Sequence, residues 1–533
     1  MPLPTDISTV ESEVDEAFED NALADLPFAQ GIWTLLSVVE DHHFKFTTYS
    51  PLTANQASIY ADGLMNALTH PLRVCYRRAT KGPCQFQRIL IDDHYTLANS
   101  WLSAAEDYDH FCSIFPLYRA GRIDLHVVGN EVIPTDWSAI DMSYEAYDRF
   151  VAKRDPEGDL ALDESLIRNE VKLAMRVVGD QHTVAFTWRL MEKLLSTLGV
   201  AFSSRYTLPG KWRFSSFSLN QFQKIFTCIQ VMAYAWFVAR QLAAANGAPA
   251  LAFSSALWTP KKNALIAKIE KHTGVERFAI MEVLRYLTFG EVGIRNPDIA
   301  IQPLVDLTNG QYAISPFVLI HVHAERNLCV LLNQIPAERA LYSTLVDQKE
   351  QEARSDTINS LSGLGLDFRC GRIAETDIDL AIIDRDAKVC ICLEMKWFIE
   401  PAEIREVLAR SYELAKGVAQ AKKIALAFSR SDGRLMALLG IDSSYDFLSM
   451  VASVNSIGRE EVQDPQVPIV KLWHLASQIR EQGKLTEVLK WLRGRYYLPR
   501  RGDDYEIRDV SIMSGRWHSR WYGIAYVDLA ERM

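Results

Sequence analysis

Asp379, Glu394 and Lys396 have the residue types and spacing that chemistry at a phosphate requires. They lie in residues 372–397, which read RIAETDIDLAIIDRDAKVCICLEMKW. Two apolar runs stand out, 378–384 and 389–397, separated by the charged turn Arg385-Asp386-Ala387-Lys388. Both read as strands. Strand residues alternate faces, so Glu394 and Lys396 share one face, while Val389, Ile391, Leu393, Met395 and Trp397 take the other and enter a core. An acid and a lysine at the end of a buried strand are costly unless something compensates them. A metal ion with a phosphate between them is the simplest compensation.

An acid-x-lysine triplet alone says little. Glu170-Val171-Lys172, Asp347-Gln348-Lys349 and Asp386-Ala387-Lys388 also match. The first two lie in helical patterns, where positions i and i+2 point apart, and the third lies in the turn. Only Glu394-Met395-Lys396 ends an apolar strand that follows another strand carrying an acid. Pro297-Asp298 precedes Glu394 by nearly a hundred residues, too far for a hairpin neighbour.

Asp379 followed by Glu394-x-Lys396 on paired strands resembles the PD-(D/E)xK nuclease superfamily, over roughly residues 340–430. The order from residue 336 fits that resemblance: helix (about 338–362), strands (366–372, 378–384, 389–397), helix (401–420), strand (423–428). A strand at 467–472 and a helix at 476–492 follow. The resemblance implies a restriction-endonuclease-like αβββαβ core and a Mg²⁺ (or Mn²⁺) ion held by Asp379, Glu394, the Met395 carbonyl and Glu350. Mg²⁺ is a hard ion that prefers oxygen ligands, and it activates water and neutralises developing charge. Lys396 would orient and help deprotonate the attacking water, its pKa lowered by burial and cationic neighbours. Glu350 is preferred to Glu352 because it falls on the helical stripe of Ile358 and Leu361. On the following helix, Gln420 would position the phosphate, with Lys416 one turn earlier. Gly417 would permit close helix–sheet approach. Asp377 is a substitute for Asp379, and Glu375 and Asp384 read as rim or turn residues.

The elements around this hairpin set further bounds. At 533 residues with formal net charge −10, the chain divides into several domains and is no basic nucleic-acid coat. The eight cysteines are scattered and read as free thiols in a reducing compartment. The first twenty residues are acidic rather than basic and then apolar, unlike a secretory signal. The apolar run 225–239 is too short to span a bilayer and reads as a buried helix. The expectation is a cytoplasmic protein with no membrane partner.

The fold class expected is a mixed α/β multidomain protein, mainly helical before the nuclease-like core. Residues 1–24 read as an acidic tail, with a capping box at Ser8–Glu11 as its one structural signal. Residues 25–155 form a mostly helical unit, with helical runs at 56–68 and 96–108, a short strand at 88–92 and a hairpin around Gly129-Asn130. Asp155–Asp159 marks a break. Residues 156–290 form a helical domain, 291–337 a hairpin connector around Thr308-Asn309-Gly310, and 338–533 the nuclease-like domain with a C-terminal extension. Between 490 and 520, eight basic residues face four acids, a net of +4, with aromatics interleaved. Arg493, Arg495, Arg500 and Arg501 there, with Lys416, suit nucleic-acid contact; the alternative is that the aromatics pack on a core. His321-x-His323 reads as a core or surface pair.

The functional expectation is a metal-dependent nuclease acting on DNA, with a helical N-terminal region that regulates or targets it. That region could engage a protein partner such as a separate motor or sensor, since no phosphate-binding glycine loop is present. Phage defence or restriction is the setting favoured by analogy alone. The alternatives are an inactive nucleic-acid-binding or assembly protein on a nuclease fold, and an RNA-cutting effector.

Overall fold

The computed structural model describes residues 6–49, 54–82, 87–151, 164–179, 181–246, 253–373, 376–401 and 403–527. The expected break at Asp155–Asp159 and the rim residue Glu375 lie outside the described residues. The architecture is mixed α/β, with a helical N-terminal region and several sheets.

One continuous apolar core runs from Phe18 to Tyr342, so the division expected at 156 and 291 does not appear in the packing. Its axis is the helix Leu219–Ala245, opened by a Ser218/Gln221 capping box. This is a helix long and apolar enough to cross a membrane, and 83% of its most apolar window is buried inside the protein. A helix apolar on every side suits such a central position. The expected helical run through Met175 and Val178 instead turns into a hairpin, Met175–Val178 with Gln181–Val184. The expected strand at 88–92 is absent, and the helix Asp92–Arg119 begins there. The expected hairpin connector shrinks to Leu304–Asp306 and Tyr312–Ile314, because Pro316 starts a short helix capped by Ser315.

The acidic tail is mostly the helix Ile7–Glu19. Its cap is Asp6 rather than Ser8, and Val10, Val14 and Phe18 are buried. Their spacing of four places them on one helical stripe. Much of this stripe packs on a four-stranded sheet that joins the two ends of the chain. The hairpin Leu125–Val128/Glu131–Pro134 pairs with the C-terminal hairpin Tyr505–Ser514/Trp517–Tyr526.

The second large unit begins with helix α1 (Pro336–Ser360). Strands β1 (Asp367–Arg372), β2 (Asp377–Asp384) and β3 (Val389–Lys396) follow in antiparallel succession. Helix α2 (Ile404–Ser429) then crosses over, and α3 (Gly433–Leu439) leads into β4 (Asp446–Ser453), parallel to β3. A parallel neighbour needs such a crossover. β5 (Ile469–Lys471) adds one more parallel strand, giving the order β5-β4-β3-β2-β1. Helices α4 (Leu472–Gln482) and α5 (Leu485–Arg493) replace the single helix expected at 476–492. The break is Gly483, whose left-handed φ of 64° closes α4.

The strand expected at 423–428 is the last part of α2. Leu414, Gly417, Val418, Ala421 and Ile424 form one buried stripe, a helical period that carries the segment past the point where its Ile-Ala-Leu alternation reads as β. Val389, Ile391, Leu393 and Met395 enter a core with α4 and α5, while Cys390 and Cys392 pack with Ile424, Leu435 and Leu439 of α2 and α3.

Candidate active site

β2 and β3 stay paired from Asp384/Val389 to Leu380/Leu393. Just past that last pair, the Met395 N–H donates to Asp379 Oδ2 at 2.7 Å. A carboxylate thus takes the place of a ladder carbonyl where the strands part. Glu394 and Lys396 follow on the side covered by α2. There a Cβ on Gly417 would stand 3.3 Å from Lys396 Cε, 3.4 Å from Val451 Cγ2 and 3.5 Å from Glu394 Cγ. Glycine allows the helix to rest directly on these side chains. Lys396 Nζ donates to Glu394 Oε1 at 2.8 Å and to Gln420 Oε1 at 3.5 Å. Glu350 arrives from α1, its Oε1 accepting the Trp397 N–H at 3.4 Å.

Asp379, Glu394, Lys396, Glu350 and Gln420 are therefore neighbours, drawn from four elements. Glu352 points away, toward Lys211 (3.4 Å) and Lys349 (3.8 Å). Asp377 is exposed beside Arg372, and Asp384 accepts the Ala387 N–H in the turn. Among the rival triplets, Glu170 pairs with Arg189, Lys349 bonds the Thr207 carbonyl and Lys388 bonds Ser444.

The electrostatics are dominated by crowded carboxylates. Glu394 is 3% exposed. Burial, with repulsion from Asp379 and Glu350, lifts its carboxyl to about 7 against the pull of Lys396. Burial also raises Asp379, outweighing the Met395 N–H, Lys396 and Arg354. Burial pulls the Lys396 ammonium down, but Glu394, Glu350 and Asp379 together outweigh it and hold lysine above its ordinary value. The lowered lysine pKa expected from the sequence is thus reversed, because its neighbours are anions rather than cations.

An all-oxygen donor set with excess negative charge suits a hard divalent cation. Three of its oxygens are already engaged, by the Met395 N–H, Lys396 Nζ and the Trp397 N–H. Among the described residues no three His, Cys, Asp or Glu side chains are gathered closely enough to form a ready shell.

The proposed nucleic-acid residues separate. Lys416 is near the site, paired with Glu413 at 2.8 Å and lying over the Tyr412 ring. Arg493 pairs with Asp446, whose β-partner is Val389, at the opposite end of β3 from Lys396. Seven residues at about 3.3 Å put that end about 23 Å away. Arg495 bonds the Asp464 carbonyl and Tyr497. The Arg500 N–H donates to Asp504, and Arg501 bonds the Ser138 carbonyl. Tyr505, Trp517, Trp521 and Tyr522 are buried in the two-ended sheet's core, so these aromatics pack rather than form an open surface.

Two neighbours went unseen in the sequence. Arg354 donates to the Asp379 carbonyl at 3.3 Å; its place four residues after Glu350 on α1 was the available signal. Ser453 is the β4 register partner of Lys396, fully buried, with no hydrogen-bond partner for its hydroxyl. Nothing local marks it, since β4 had been placed elsewhere. A cavity of about 920 Å³ lies between the N-terminal helices and the first turns of α2, and Asp379, Glu394 and Lys396 do not line it. His321 lies against the buried His43, with 3.3 Å between their Nε2 atoms, while His323 caps the helix Ala324–Gln334.

Comparison with protein-family models, curated proteins and solved structures gives no match.

Proposed function

We propose that the chain is a metal-dependent nuclease that hydrolyses DNA phosphodiesters at Asp379, Glu394 and Lys396, on a restriction-endonuclease-like αβββαβ core. One observation carries the reading. These three residues, separated in sequence, meet where β2 and β3 part, and Glu350 and Gln420 reach the same place from α1 and α2, while the rival triplets are occupied elsewhere.

Asp379, Glu394, the Met395 carbonyl and Glu350 would hold a Mg²⁺ or Mn²⁺ ion. When bound, such an ion supplies a Lewis acid, lowers the pKa of a coordinated water and offsets the carboxylates' charge. The Met395 N–H fixes the Asp379 carboxylate, so one of its oxygens is oriented before substrate arrives. Lys396, held as an ammonium, donates to water or to a phosphate oxygen, where its charge opposes the negative charge developing on phosphorus. Gln420, already in contact with Lys396, presents its amide to the same phosphate. Gly417 keeps α2 close enough for both.

Asp379→Ala, Glu394→Ala and Lys396→Ala should each lower Mg²⁺-dependent cleavage of labelled DNA by on the order of 10²–10⁴-fold, with unchanged circular dichroism. Wild-type-like cutting by purified Asp379→Ala would refute the assignment.

A further inference from the structure

We infer that Tyr412 is a stacking platform for an unpaired base, which makes single-stranded DNA the substrate class of this site. The inference rests on the nuclease reading above and deepens it.

Tyr412, Lys416 and Gln420 follow one another at spacings of four on α2, so they form a single row on the helix surface. The row ends at the catalytic centre, where Gln420 meets Lys396. Its outer end is Tyr412, 66% exposed. Eight residues of helix place Tyr412 about 12 Å along the axis from Gln420. Lys416 lies between, with Nζ 4.6 Å from the centre of the Tyr412 ring. Its carboxylate partner is Glu413, at 2.8 Å on the surface.

An exposed tyrosine alone is ordinary. This one combines a largely exposed ring, a cation against it and continuity with a phosphate-handling amide. A strand whose phosphate is held at Gln420 and Lys396 has its next phosphates within reach of Lys416. Its bases can then turn onto the ring. Aromatic rings beside a basic track bind single strands by stacking, with little regard to sequence. A duplex keeps its base faces inside the stack, and reaching one costs unpairing, so Tyr412 adds affinity only for unpaired bases.

The test uses the full chain carrying Asp379→Ala, with and without Tyr412→Ala or Tyr412→Trp. Binding to a fluorescent single strand and to the matching duplex is followed by anisotropy. Tyr412→Ala should weaken single-strand binding about 5- to 100-fold and leave duplex binding unchanged, while Tyr412→Trp should retain it. A single abasic nucleotide stepped along the strand should reproduce the loss at one position, and should cost nothing further in Tyr412→Ala. Equal losses on strand and duplex, or no loss on either, overturn the inference. Cleavage by the otherwise wild-type chain is measured in parallel. Cutting that depends on Asp379 but ignores Tyr412 on single strands overturns the platform alone, whereas no cutting of any substrate overturns the nuclease reading and the platform with it.

Discussion

At Gly417 two effects of one methyl group oppose each other. Alanine in a helix interior is favoured over glycine by about 0.8–1.0 kcal/mol. The same methyl would press within 3.3–3.5 Å of Lys396, Val451 and Glu394. The helix gain is comparable to the cost of a small rotamer shift, so stability should barely move, while the Lys396 side chain, the most yielding neighbour, is displaced. Gly417→Ala should keep its melting temperature within a few degrees and lose about tenfold or more in cleavage, as scanning calorimetry beside a cleavage assay will register. Normal cutting would mean that α2 does not position the lysine. The placement of Glu394 and Lys396 on one face was legible because strand alternation depends on neighbours two apart. The charge state of Lys396 was not, since its field comes from Glu394, Asp379 and Glu350 on three different elements.

Among the elements, the short helix Pro316–His321 is held to the helix Phe28–Tyr49 by one buried carboxylate. Glu40 accepts from the Ser315 hydroxyl and from the Phe317 N–H at 2.8 Å. Burial lifts Glu40 to about 7, against the pull of Ser315, Phe317 and Arg240. An acid whose folded pKa lies above its unfolded value binds its proton more tightly when folded. Wild-type stability from this group therefore falls as pH rises from about 4.5 to about 7, by on the order of 2–3 kcal/mol. His43, lowered by burial to about 3, gives the opposite slope. Glu40→Gln keeps that histidine slope and removes its own, so the difference between wild-type and variant urea-unfolding free energies should shrink or change sign across pH 4.5–7. A pH-independent difference would show that Glu40 is ionised throughout. Elements with one dominant period, such as the central helix and β2–β3, were readable in the sequence. The strand expected at 423–428 was not, because its local alternation gave way to a buried helical stripe whose partner strand, β4, comes later in the chain.

Across the whole molecule, the two chain ends fold together, which no local pattern encodes. The C-terminal hairpin meets the N-terminal strands through His518 and Glu131 and buries Tyr505, Ile512, Trp517, Trp521 and Tyr522 against Val14, Phe111 and Trp137. Arg459, 2% exposed, carries the connection to the site-bearing unit. It lies 3.2 Å from the Tyr522 hydroxyl and 3.5 Å from Glu145, and its own N–H donates to Ser411 of α2. The buried aromatics follow the alternative open in the sequence, packing on a core, and the arginines among them are carried on that sheet and its approach. Five large buried side chains at about 1.5–3 kcal/mol each amount to about 10 kcal/mol, as large as the net stability of a typical domain. Ending the chain after Tyr496 should therefore yield aggregated protein, or protein lacking a cooperative melting transition. Arg500→Ala with Arg501→Ala removes only an exposed side-chain contact to the Ser138 carbonyl and keeps the backbone Arg500 N–H to Asp504, and should leave both melting and DNA affinity within about twofold of wild type. A large loss of DNA affinity in that double variant, with folding intact, would restore the C-terminal segment as a nucleic-acid surface. A soluble, cooperatively melting truncation would instead show that the two-ended sheet is an accessory to the fold.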